Sequence, residues 1–131
     1  MIYGIGTDLV ENARIAELYE KYGDRFLGQI LTEAERAEFV QAKQPVAFLA
    51  KRFAAKEAFA KALGTGIRHP VSFGKIGVGH EKGGRPLLQF DDSVRDLMAE
   101  RGVSRAHLSI SDEHSMTAAF VVLEASQGVS A

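Results

Sequence analysis

The period of the apolar positions changes several times along the chain, and each change marks an element. Over residues 1–7, Ile2, Gly4 and Gly6 alternate with Tyr3, Ile5 and Thr7 before polar residues take over, which predicts a first strand ending at Asp8. Asp8 would then stand at a strand end, where sites are commonly built. Ile15, Leu18, Tyr19 and Tyr22 recur at helical spacing, with Asn12 as the expected cap and Gly23 as the exit. Thr32 and Glu35 make a capping box for a second helix to about residue 43, and Gln44-Pro45 separates it from a third over 46–63 that stops at Gly64. Segments 71–80 and 85–90 flank Lys82-Gly83-Gly84, the composition of a hairpin loop. Ser93 is the expected cap of a short helix that places Val94, Leu97 and Met98 on one face, with Gly102 at its exit. Ala106, Leu108 and Ile110 alternate with His107, Ser109 and Ser111, and 116–123 is apolar and β-branched enough for a buried strand. Gln127 to Ala131 reads as a frayed tail. With no repeat, low-complexity run or linker, the expected fold is a single α+β domain over residues 1–131, an antiparallel sheet packed with helices.

Composition narrows the chemistry. The 131 residues, 46% of them hydrophobic, suffice for one core. No stretch approaches the roughly 18 consecutive apolar residues of a spanning helix, and Met1-Ile2-Tyr3-Gly4 lacks the basic start of a secretory signal. A soluble, cytoplasmic protein is expected. Without cysteine there is no disulfide, thiolate metal site or cysteine nucleophile, which leaves carboxylates, His, Lys, Ser or a hard cation. Sixteen basic against 17 acidic side chains give a formal charge of -1, which argues against bulk attraction to nucleic acid or to an anionic membrane. An anionic ligand would have to be met by a local cluster.

The helix over 46–63 supplies one. On a wheel of about 100° per residue, Phe48, Leu49, Phe53, Phe59 and Leu63 form a broad apolar arc, and Arg52 and Lys56 fall inside it. Charges held within the apolar arc need a partner, and an anionic ligand is one; the alternative is that their stems lie on the core while the heads reach water. The other side is lined by Ala47, Ala50, Ala54, Ala58 and Ala62, side chains small enough to let another element approach closely. Among them Glu57 and Lys61 stand at i and i+4, the spacing of a surface ion pair. Gly64-Thr65-Gly66 has the look of a phosphate loop but follows a helix rather than opening one, as a plain C-cap would.

Taken in order, Gly4-Ile5-Gly6-Thr7-Asp8, Arg52-Phe53-Ala54-Ala55-Lys56-Glu57-Ala58, Lys61-Ala62-Leu63-Gly64-Thr65-Gly66, Gly84-Arg85-Pro86 and His107-Leu108-Ser109-Ile110-Ser111 resemble the holo-(acyl-carrier-protein) synthase family of phosphopantetheinyl transferases. The likeness runs from Met1 to Glu124. It implies the 4'-phosphopantetheinyl transferase fold and transfer of the 4'-phosphopantetheine group from coenzyme A to a serine of an apo acyl carrier protein, releasing 3',5'-ADP, in fatty acid biosynthesis. It implies a magnesium ion (Mg2+) on Asp8 and Glu57, a cation that favours a few carboxylates together with phosphate oxygens and water. By the same resemblance Asp8, Glu57 and Lys61 form the catalytic set, Arg52 and Lys61 meet coenzyme A phosphates, and Gly64, Thr65 and Gly66 shape the loop beside the nucleotide and pantetheine arm. Lys56 supports Glu57, and Arg14 and Arg25 dock the acidic carrier. Many family members have a histidine where this chain has Asp112, followed by Glu113 and His114. Asp112 is therefore either a group that contacts coenzyme A, the metal shell or a proton, or a turn cap. His107 matches the family histidine at the strand start and reads equally as a structural histidine.

The serine proton has three candidate acceptors: Glu57, Asp112 or a metal-bound water. The family likeness further implies a homotrimer with sites between adjacent subunits, which would give the alanine-lined face its partner. Two rival functions remain, a transferase serving carriers outside fatty acid synthesis and a non-catalytic coenzyme A or nucleotide-binding module. A structural subunit of a larger assembly is a more distant one.

Overall fold

A computed structural model describes residues 1–126; Gln127 to Ala131, the expected tail, lie outside the described residues. The chain runs β1 (Ile2–Glu11), α1 (Asn12–Tyr22), α2 (Asp24–Ile30), α3 (Glu33–Phe39), α4 (Pro45–Leu63), a 3-10 turn (Phe73–Lys75), β2 (Ile76–His80), β3 (Pro86–Phe90), α5 (Asp92–Glu100), β4 (Val103–Asp112) and β5 (Met116–Ala125). Three strands form an antiparallel sheet in the order β1-β5-β4, while β2 and β3 make a separate antiparallel hairpin. The expected α+β class holds, with two sheets in place of one. Among the described residues no helix is long and apolar enough to cross a membrane.

α4 is the centre of the molecule. Pro45 in its first turn and Gly64 in the left-handed conformation (φ 87°) bound it as the sequence predicts. It packs chiefly on β1 and β5, and Leu49, Phe59 and Leu63 join Ile15, Val121 and Leu123 in the core. Its alanine face meets β1 of the same chain: a Cβ on Gly4 would collide with the carbonyl of Ala62, and one on Gly6 with the carbonyl of Ala58. The expectation that this face waits for another subunit is thereby corrected. Two glycines in a strand and two alanines in a helix bring the backbones together within the chain.

Several local expectations also change. β1 does not end at Asp8; Leu9 to Glu11 continue pairing with Ala118 to Met116, which puts Asp8 inside an edge strand opposite Ala119. Asn12 makes no side-chain cap on α1. Its amide nitrogen instead donates to the carbonyls of Glu113 and His114 at 3.3 Å, and its oxygen accepts from the Thr117 hydroxyl at 2.8 Å, tying the β4–β5 turn to the start of the helix. The Thr32–Glu35 capping box is present, but α3 ends at Phe39 rather than near residue 43. Asp91, not Ser93, caps α5, its carboxylate accepting from the Val94 amide at 3.0 Å. Within 71–80 only Ile76–His80 is strand.

The two charges inside the apolar arc of α4 are held by protein. Lys56 is fully buried and its Nζ donates to Glu35 Oε1 at 2.6 Å and to the carbonyls of Ile30 at 2.6 Å and Phe73 at 3.0 Å. Glu35 accepts further from the amides of Thr32 at 2.9 Å and Val78 at 2.8 Å, so one carboxylate joins α3, α4 and β2. Burial lowers the Lys56 ammonium below the ordinary lysine range, partly offset by the Glu35 charge and hydrogen bond. The Arg52 guanidinium lies over the Phe48 ring, 3.9 Å from both Glu35 and Glu38.

Candidate active site

The close approach of α4 to β1 sets the site. Because Gly4 and Gly6 admit Ala62 and Ala58, the residues beside those alanines, Lys61 and Glu57, are carried to the next inward position of the strand, Asp8. Lys61 Nζ donates to Asp8 Oδ1 and to the Thr7 carbonyl, each at 3.0 Å. The Asp8 side chain is 14% exposed and that of Lys61 53%, so the carboxylate is recessed and the ammonium stands at the mouth. Glu57 is half-buried, and burial first, the Asp8 charge second, push its carboxyl above the ordinary glutamate range against the opposing pull of Lys61. Two carboxylates therefore share one site at a cost in like-charge repulsion. Two hard carboxylate donors in an anionic site suit magnesium, a cation that takes phosphate oxygens and water for the rest of its shell. Among the described residues no third His, Asp or Glu joins them.

Phe53, Glu57 and Lys61 are successive turns of one face of α4, about 6 Å apart along the axis. Phe53 lines an apolar groove of about 450 Å³ with Leu18 and Tyr22 of α1, Phe26 and Ile30 of α2, and Ile67 and Phe73. Phe53 and Phe73 stack at 5.4 Å between ring centres. Arg14 lies one turn before Leu18 on α1, and Arg25 lines an adjoining cleft with Tyr22 and Gln29; both arginines are exposed. Basic groups thus stand near the groove, Arg25 in the adjoining cleft and Arg14 one turn from Leu18, and Phe53 on its α4 wall lies one turn before Glu57. The arginines are legible in the sequence but the groove is not, because α2, which forms one wall, has no clear helical pattern there.

Other expected site residues lie apart. Arg52 is nine positions from Lys61, roughly half a turn round the helix, so the two project to opposite sides of α4. Asp112 is on β4, two strands from β1, where it pairs with Lys51 of α4 at 3.6 Å. The turn at Gly64, Thr65 and Gly66 directs its three backbone N–H groups inward to the Ala60 carbonyl at 3.1 to 3.2 Å, so it closes the helix. Its glycines still leave open space above the turn. His107 Nε2 lies 2.7 Å from Glu124 on the outer sheet face, beside a cleft of about 540 Å³ between β3 and β4 that also holds Arg85 and Arg105. The hydrogen bond between His107 and Glu124 holds that carboxylate below its ordinary range.

Residues 4–120 match the family model of the 4'-phosphopantetheinyl transferase superfamily. A holo-[acyl-carrier-protein] synthase of Nitrosospira multiformis is 57% identical over 124 residues, 95% of this chain and 99% of the relative. The crystal structure of the holo-[acyl-carrier-protein] synthase of Neisseria meningitidis superposes with a TM-score of 0.93 at 55% identity, covering 95% of this chain and 99% of that one. That of Bacillus anthracis, solved in complex with CoA (3',5'-ADP), gives 0.81 at 41% identity over 96% and 99%. With near-complete coverage in both directions, and with the Asp8, Glu57 and Lys61 set assembled on the shared fold, the chain belongs to the holo-[acyl-carrier-protein] synthases of the 4'-phosphopantetheinyl transferase superfamily.

Proposed function

We infer that this protein transfers the 4'-phosphopantetheine group of coenzyme A to a serine of an apo acyl carrier protein, releasing 3',5'-ADP, as a step that equips carriers for fatty acid synthesis in the cytoplasm. The observation that carries this is the alignment of a groove flanked by Arg14 and Arg25 with the Glu57, Lys61 and Asp8 cluster along one face of α4. An acidic carrier helix seated in the groove brings its serine beside Glu57. The serine oxygen forms a bond to the β-phosphorus of the pyrophosphate, and the bond from that phosphorus to the bridging oxygen breaks, with 3',5'-ADP as the leaving group. Asp8 and Glu57 would hold magnesium, which when bound neutralises charge on the pyrophosphate oxygens. Lys61, fixed by Asp8 and the Thr7 carbonyl, offers its remaining N–H to the leaving phosphate. Glu57 receives the serine proton in this reading, which is supported by Asp112 of the same protomer lying two strands away and being engaged by Lys51.

A homotrimer with sites between subunits fits two further features. Ile5, Leu9 and Phe120 leave a contiguous apolar patch exposed on the outer face of the sheet. The cleft that holds Arg85, Arg105 and His107, with Glu81 in its lining and Glu124 paired to two of them, lies at the β4 side of the molecule, where it can serve the Asp8 edge of a neighbour but not of its own chain. Sedimentation showing a monomer at full activity would exclude this arrangement.

The test of function is the intact mass of apo acyl carrier protein after incubation with this protein, coenzyme A and magnesium. A gain of one phosphopantetheine, lost with chelator and in Asp8→Ala and Glu57→Ala, is expected. Coenzyme A binding with no mass gain on any of several carriers would establish a binding module instead.

A further inference from the structure

The exit of α4 presents an electrostatic difficulty. Its last turn carries carbonyl polarity, the negative end of a helix dipole, and Gly64, Thr65 and Gly66 spend their N–H groups on Ala60 rather than turning them outward. Lys61 is the one basic residue in that turn, and part of its charge is taken up by Asp8. Under the proposed function the polyanion coenzyme A settles beside this end, next to Lys61.

Arg101 answers the difficulty from another element. It is the C-cap residue of α5, and its guanidinium Nη1 donates to the carbonyl of Leu63, the last residue of α4, at 3.1 Å; the Tyr3 hydroxyl reaches the same oxygen at 3.4 Å. Among the described residues no carboxylate lies within ion-pair distance of Arg101, so its charge is left to act on the helix end. The side chain is exposed and reaches Leu63 from 38 positions away in sequence.

We propose that Arg101 is a positioning residue for coenzyme A: by seating a cation on the terminal carbonyl of α4 it turns a phosphate-repelling helix end into one that tolerates phosphate beside Lys61. This rests on the proposed function, since it takes coenzyme A as the ligand of the α4 exit. The test measures coenzyme A affinity by calorimetry at low and high ionic strength for the wild type, Arg101→Gln and Arg101→Lys, with melting temperature and transfer kinetics alongside. Arg101→Gln is expected to weaken coenzyme A binding about five-fold at low salt, with kcat changed less than about two-fold. The deficit should shrink at high salt, and Arg101→Lys should recover most of it. Unchanged affinity in Arg101→Gln overturns the proposal. So does equal weakening of both variants at every salt concentration with a lowered melting temperature, the signature of a structural anchor alone. A wild type that binds coenzyme A without transferring it would sink the proposed function and leave the Arg101 comparison readable; one that binds none would sink both.

Discussion

Gly6→Ala tests whether the approach of α4 to β1 builds the site. The added methyl would overlap the Ala58 carbonyl oxygen and lie 2.6 Å from the Ala62 nitrogen, where ordinary contact requires at least 3.4 Å. Both obstacles are backbone, so neither can swing aside; the helix must move off the strand by about 1 Å. Overpacking of this kind costs about 3 kcal/mol, at the upper end of its usual range, because the displaced element is the centre of the core. For 131 residues that corresponds to a fall of about 10 °C in melting temperature. The same shift would stretch the 3.0 Å contact between Lys61 and Asp8, and a misplacement of about 1 Å at reacting groups can lower turnover about 100-fold. Calorimetry and the carrier mass assay read the two effects separately. Gly83→Ala is the control, since a methyl there meets nothing within 4 Å and the backbone is not left-handed. A Gly6→Ala protein that melts within about 2 °C of wild type and retains transfer would refute the account.

Lys56→Met leaves Glu35 buried beside an apolar side chain and should destabilise the fold by about 3 to 5 kcal/mol, measured by denaturant unfolding; a loss below about 1 kcal/mol would show the pair to be dispensable. Glu57→Gln should abolish transfer yet raise the melting temperature of the metal-free protein at neutral pH. The sign follows from the raised carboxyl: between the ordinary glutamate value and the raised one the folded state binds more protons than the unfolded, so stability falls as pH rises through that window. The two proteins should converge below it, and a wild type that is the more stable above it would contradict the direction of the shift. Arg14→Glu with Arg25→Glu should raise KM for the carrier about ten-fold, most strongly at low salt, without altering coenzyme A affinity. Equal KM values in a carrier titration would remove the docking role.

α4 was legible because its punctuation is local: proline at the start, glycine at the end and a helical apolar arc between them. α2 was not, because it has seven residues, follows Gly23 without a side-chain cap and contains Gly28; the surviving signal was Phe26, Leu27 and Ile30 at helical spacing. The end of β1 was misplaced because an aspartate usually disfavours a strand interior, whereas here an edge position and the Lys61 contact accommodate it. Arg52 and Lys56 suggested an anionic ligand, but the anion beside them is a carboxylate of the protein, Glu35, which the capping box had already accounted for. One carboxylate serves as cap and counter-ion together, and no spacing rule reports a contact 21 residues distant.

The adjacent residues Lys56 and Glu57 show how one helix divides stability from chemistry. Lys56 points into a completed network in which its charge and that of Glu35 are matched, so losing either partner weakens the fold. Glu57, one step round the helix, faces Asp8 across a site whose negative charges Lys61 only partly balances, so the metal-free fold gains by its neutralisation. Opposite effects on stability from substitutions at consecutive positions follow directly. The rigid side is what keeps the strained side in register: Glu35 fixes the rotation of α4 against α3 and β2, the glycines of β1 fix its distance, and together they hold Glu57 and Lys61 against Asp8 despite the repulsion. Under the proposed function, two carboxylates that repel one another in the empty site would be better matched to a bound cation and phosphate than to that empty state.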